Sequence, residues 1–174
     1  TWTVALKVMS SPAYGKGDIR HFHVCQADPY VSKRWYVAAG DKLTDNKLYV
    51  SDDDGVSWRL IEVKGCFPPG YVSARHWNDF LRFTTIEISE EKLSWATDDN
   101  VGGGRALLCH LNKPEIDEGQ VNIYIYGFLG KNLARNMVKT KFGSFITTES
   151  KLDSNAADLY LSGGAGLVKF PSIE

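Results

Sequence analysis

The chain has 174 residues, 43% of them hydrophobic, and a formal net charge of −1, which bounds it as one domain with a packed core and excludes global disorder. Its 20 Lys and Arg and 21 Asp and Glu are dispersed, so no basic run marks a nucleic-acid or membrane surface, and neither partner is expected. No apolar stretch approaches the roughly 18 residues of a bilayer span.

The opening Thr1-Trp2-Thr3 is neither a start methionine nor a signal peptide and reads as the start of an excised or processed chain. Helical periodicity is scarce. Short β-branched and aromatic runs between Gly, Pro, Asp and Asn clusters predict strands instead. In chain order these cover 3–9, 22–26, 35–39, 47–50, 58–63, 83–88, 93–97, 106–111, 121–126, 137–141, 145–148, 159–161 and 167–170. Turn character at 33–34 and 89–92 fits tight hairpins.

Cys25, Cys66 and Cys109 stand far apart, with no CxxC and no zinc-finger spacing. Cys25 and Cys109 lie in apolar runs and read as small buried hydrophobes. An odd cysteine count and the absence of an Asn-x-Ser/Thr sequon leave the compartment open, a secreted or cell-surface setting included. His21 and His23 share a strand face, but no third metal ligand is identifiable, so neither metal nor other cofactor is expected. Gly102-Gly103-Gly104 precedes a strand, which makes it a flexible loop and not a phosphate cradle.

An internal repeat organises the strands. Leu48-Tyr49-Val50-Ser51, closed by Gly55, recurs as Leu159-Tyr160-Leu161-Ser162, closed by Gly166, with a worn copy at 106–111. Trp2 followed by Arg20-His21-Phe22 is echoed by Trp58 followed by Arg75-His76-Trp77. Four strands per period of about 40–55 residues is the signature of a propeller blade. The expected fold is therefore an all-β propeller segment of four-stranded antiparallel blades over 1–174. The blades fall near 20–64, 80–127 and 135–171, with 2–9 an outer strand of a preceding blade. About three blades form a partial ring, because closure takes at least about four. The open edges are then completed by more of the same polypeptide or by another copy. A generic β-sandwich of short strands is the alternative.

Ser51-Asp52-Asp53-Asp54-Gly55-Val56-Ser57-Trp58 fits the pattern Ser-x-Asp-x-Gly-x-x-Trp. Asp53 can accept turn N–H groups, Gly55 supplies a positive φ, and Trp58 plugs the turn from the outer strand. The segment resembles the Asp-box (BNR) repeat of sialidase-like propellers, sharply over one blade and as architecture over nearly the whole chain. The resemblance implies a structural role for Ser51, Asp53, Gly55 and Trp58, in a turn between the third and fourth strands of a blade.

Blade geometry sends the opposite loops to a second face. Asp41, Asp98, Asp99 and Glu149 lie there at the ends of second strands, and Arg20, His21, Arg75, His76 and Arg135 lie in the connections between blades. His23 points from the innermost strand, and Trp77 and Tyr71 are placed to stack on a sugar. Such a mouth suits a carbohydrate or other polar small ligand, with Arg for carboxylates and acids for hydroxyls or proton transfer. The same residues also fit ordinary turn positions and salt bridges between blades. Sialidase resemblance further implies three arginines on a carboxylate, a Tyr/Glu nucleophile pair and an Asp acid/base. Glu149 and then Asp41 are the candidates for chemistry, although the Arg-Ile-Pro segment of that family is lacking. The expected function is a sialidase-like or glycoside hydrolase-like propeller acting on or recognising carbohydrate. The alternative is a non-catalytic propeller that binds glycans or proteins.

Overall fold

A computed structural model describes residues 6, 22–40, 46–67, 77, 80–97, 107–129, 132–140, 143–150, 157–163 and 166–169. The strand expected at 3–9, and with it the outer strand of a preceding blade, lies outside the described residues apart from Leu6.

The described chain is all-β except for one helical turn, and its strands form three antiparallel four-strand meanders. The first comprises β1 (Phe22–Ala27), β2 (Trp35–Ala39), β3 (Lys47–Ser51) and β4 (Arg59–Phe67). The second comprises β5 (Glu87–Ile88), β6 (Lys92–Ala96), β7 (Leu107–Asn112) and β8 (Gln120–Phe128), with α1 (Lys113–Asp117) between its last two strands. The third comprises β9 (Asn132–Thr140), β10 (Gly143–Ser150), β11 (Ala157–Gly163) and β12 (Gly166–Lys169).

The first two meanders are joined edge to edge into one continuous sheet, where separate blades were expected. The order is β1-β2-β3-β4-β8-β7-β6-β5, curled into a half-barrel. The physical reason is the length of β4, nine residues against five in β3. Residues 59–61 pair with β3, while 62–67 run past its end and pair in parallel with 120–124 of β8. A strand edge left open by a short neighbour is satisfied by the next available one.

The concave side of this sheet holds the main core. Tyr36, Leu48, Val50, Ile61, Trp95, Leu111, Val121 and Ile123 all point into it and are buried. The apolar run expected as a strand over 83–88 is a strand only at 87–88. Its upstream part fills the barrel: Phe80, Leu81, Phe83 and Ile86 are buried, Phe83 packs 5.0 Å from the Trp95 ring, and Trp95 Nε1 donates to the Phe80 carbonyl at 2.7 Å. Burial is thus achieved without sheet pairing, which a short apolar run alone does not specify. Cys25, expected inside, is exposed, because on β1 Val24 takes the inward position and its neighbour the outward one.

The third meander packs on the convex side of the second through a smaller apolar cluster, Ala96, Leu108, Leu129, Ala134, Met137 and Ile146. Polar contacts support it: Met137 N donates to Thr85 Oγ1 at 2.9 Å, and Glu87 receives the Ser144 hydroxyl and lies 3.3 Å from Lys139 Nζ.

Candidate functional site

The hairpin turns of the first two meanders converge on one rim. The turn after β1 is organised by Asp28, whose Oδ1 accepts from the Tyr30 and Val31 amides at 2.8 and 3.1 Å. Its other oxygen, Oδ2, accepts from Tyr36 Oη at 2.8 Å and lies 2.7 Å from Lys113 Nζ on α1. Both side chains of this ion pair are buried, at 0% and 4% exposure. Burial alone would raise the Asp28 carboxyl, but Lys113, the Tyr30 amide and Tyr36 outweigh it and hold it below its ordinary value. Burial and then Asp28 push the Tyr36 phenol far up. Lys113 also donates to the Ser89 carbonyl at 3.1 Å, so one ammonium joins the first meander to two turns of the second.

Outside this pair lies a second bridge. Arg34 Nε donates to Asp52 at 2.5 Å and its Nη2 to Asp117 at 2.6 Å. Arg59 donates to the Ile116 carbonyl at 2.7 Å and to Asp52 at 3.3 Å. These arginines are committed to holding the meanders together, as forked donors suit.

The 51–58 turn sits on the same rim, between the third and fourth strands of the first meander. Ser51 is buried, and its Oγ accepts from the Gly55 amide at 2.8 Å. Asp53 Oδ1 accepts from the Ser57 amide and the Ser51 hydroxyl, both at 2.8 Å, and Oδ2 accepts from the Ser57 hydroxyl at 2.6 Å. The side chain is half-buried, and two hydroxyls join the Ser57 amide in bonding it. These bonds from Ser57 and Ser51 lower the Asp53 carboxyl to about 2. Gly55 has φ +83°, and Trp58 folds back over the turn, donating from Nε1 to the Gly55 carbonyl at 3.0 Å. An open depression of about 180 Å³ beside the turn is lined by Val50, Asp52, Asp53, Ser57, Trp58 and Arg59.

The convex face of the second meander carries a different arrangement. The registers align Glu87, Ser94, His110, Tyr124 and Phe67 in one row across five adjacent strands. His110 and Tyr124 stack with centroids 5.1 Å apart, and Tyr124 and Phe67 stack at 5.7 Å. Tyr126 leans on His110 at 5.6 Å. Phe67 and Tyr126 are each 46% exposed. Glu115 on α1 edges the row: its carboxylate accepts from Asn112 Nδ2 (2.7 Å), Asn122 N (2.7 Å), Asn122 Nδ2 (3.0 Å) and Tyr124 Oη (3.2 Å). Burial would raise this carboxyl, but those bonds, led by the Asn122 amide, hold it below its ordinary value. Burial and the Glu115 charge push the Tyr124 phenol up. A Tyr–Glu pair is therefore present, joined by the bond from the Tyr124 hydroxyl to the Glu115 carboxylate at 3.2 Å.

Of the residues expected at the mouth, Arg20, His21, Asp41, Tyr71, Arg75, His76, Asp98 and Asp99 lie outside the described residues. Glu149 falls on β10, opposite Leu133 and Ala157, and Arg135 falls on β9. His23 sits at a bulge in β1 and donates from Nε2 to the Gly40 carbonyl. Trp77 is half-buried and packs on the main core, so much of its surface is committed there. Sequence reasoning missed Asp28, Lys113, Glu115, His110 and Tyr124. The Lys-Pro-Glu of α1 is a helix-start signal that could have flagged the position of Glu115. Among the described residues no group of three His, Cys, Asp or Glu is arranged to hold a metal ion.

No protein-family model matches this chain, and no curated protein or solved structure matches it either.

Proposed function

We propose that the chain is a segment of a sialidase-like Asp-box β-propeller that recognises carbohydrate. The observation that carries this reading is the 51–58 turn. Ser51, Asp53, Gly55 and Trp58 interlock there between the third and fourth strands of a four-strand meander, the position an Asp box occupies in a blade. Three successive meanders add support, as does the packing of the third on the second through an apolar cluster. Among the described strands β1 and β5 end one sheet and β9 and β12 the other, and such edges are compatible with a ring completed by further strands of the polypeptide or by a second copy.

Recognition is preferred to hydrolysis because the Glu115 carboxylate beside Tyr124 is already taken up by four hydrogen bonds, from Asn112, Asn122 twice and Tyr124. Glu149 and Asp41 are the residues through which hydrolysis would run. The test is a panel of neutral and sialylated glycosides assayed for both binding and turnover. Binding without turnover is expected. Turnover abolished by Asp41→Asn or Glu149→Gln would replace recognition by hydrolysis, and a chain that neither binds nor cleaves any member overturns the carbohydrate reading.

A further inference from the structure

The row on the convex face of the second meander is distinct from the mouth that the loops were expected to form. Three of its five members, His110, Tyr124 and Phe67, are aromatic and held in register by the sheet, and one end abuts the third meander through Glu87. Tyr124 is fixed twice, by its neighbours in the stack and by its hydroxyl on Glu115. The surface is thus ordered before any ligand arrives, which lowers the entropic cost of binding.

The chemistry is mixed on a small scale. Phe67 and Tyr126 offer half-exposed rings. On the same face of the sheet the amides of Asn112 and Asn122 point their N–H groups at Glu115. That leaves the two amide oxygens without a protein donor among the described residues. Apolar ring surface beside rigid hydrogen-bond acceptors is the complement of a pyranose, which has a C–H face and a hydroxyl edge.

Size argues the same way. A buried aromatic contributes about 150–250 Å², so two half-exposed rings and two largely covered ones leave on the order of 300 Å² of aromatic surface. A strip of that size is enough for a sugar unit or two.

We propose that Phe67, His110, Tyr124 and Tyr126, bordered by Asn112 and Asn122, form a carbohydrate-binding site that stacks the C–H face of a pyranose ring. The assignment rests on the carbohydrate reading above and adds the place and the mode of contact.

The test uses the full 174-residue chain with four probes: cellotetraose, chitotetraose, N-acetyllactosamine and 3′-sialyllactose. Titration calorimetry measures affinity, and saturation-transfer NMR reports which sugar protons touch aromatic rings. Phe67→Ala and Tyr126→Ala, both at exposed positions, should each weaken the best probe at least about fivefold. Leu60→Ala, exposed on the first meander, serves as the control and should leave affinity unchanged. Saturation should reach ring C–H protons of the sugar. Unchanged affinity in both aromatic variants, with the wild type still binding, overturns this site and leaves the carbohydrate reading standing. A wild type that binds none of the four probes overturns this site.

Discussion

Lys113 Nζ lies 2.7 Å from Asp28 Oδ2, with both side chains sealed from solvent between the first and second meanders. The parallel seam of β4 and β8 joins the two halves of the sheet, and this ion pair locks their turns at one end. Removing one partner strands a buried charge, a loss of about 3–5 kcal/mol. Lys113→Met should therefore lower the denaturation midpoint sharply, while Glu118→Ala, at an exposed position, should not. Equal midpoints for the two variants would show that the pair does not hold the meanders together.

The same pair sets an acid limit. Asp28 has its carboxyl lowered in the fold, so its contribution is present above the unfolded value of about 3.9 and is lost as pH falls through the lower folded value. Asp53, lowered to about 2, behaves in the same direction. Stability should fall with acidification below about pH 4, and Asp53→Asn should flatten that fall. An unchanged acid limb in Asp53→Asn would mean that its bonds to Ser51 and Ser57 do not distinguish folded from unfolded chain.

Gly55 tests the turn independently of charge. Its φ of +83° is a left-handed conformation, and an added Cβ would meet the Trp58 ring at an ordinary 3.5 Å. Space is therefore not the obstacle, and Gly55→Ala isolates the backbone cost of about 1–2 kcal/mol. Chemical denaturation should show a loss of that size. A stabilised variant would mean that the turn relaxes to another conformation.

Local pattern made β2 legible to its bounds, because its apolar run is flanked by turn residues on both sides. The 51–58 turn was equally legible, since each residue serves its neighbours within seven positions. The seam was not. Nothing local states that residues 62–67 leave β3 and pair in parallel with β8, and the whole aromatic row depends on that register. Arg34 and Asp117 meet across 83 positions of sequence, so a rim that reads as scattered solvent charges is an inter-meander clamp. The helical turn at 113–117 was too short to show a period, yet it delivers both Lys113 and Glu115.

Thiol reactivity should separate the cysteines. Burial pushes Cys66 up to about 11 and Cys109 well above its ordinary value, and the thiolate is the reactive form. Cys25 is exposed on β1. At pH 8 a thiol reagent should label Cys25 alone in the native chain and all three cysteines after denaturation. Rapid native labelling of Cys66 would show that the β4–β8 seam opens.

His110 provides the most direct probe of the aromatic row. It is half-buried between Tyr124 and Tyr126, and its pKa is lowered first by burial and then by Lys92, against an opposing pull from Glu115. The unfolded chain, with an imidazole near 6.5, takes up a proton before the folded one does. The contribution of His110 to stability is therefore present above about pH 6.5 and declines as pH falls through the folded value. Proton NMR of the imidazole should place its midpoint below 6.5. Lys92→Ala, by removing a like charge, should move the midpoint up. Glu115→Gln, by removing an opposite one, should move it further down. Opposite movements in these two variants identify the field that acts on the row. Movement in the same direction, or none, would mean that His110 does not sit between those charges as the registers of β6, β7 and β8 place it.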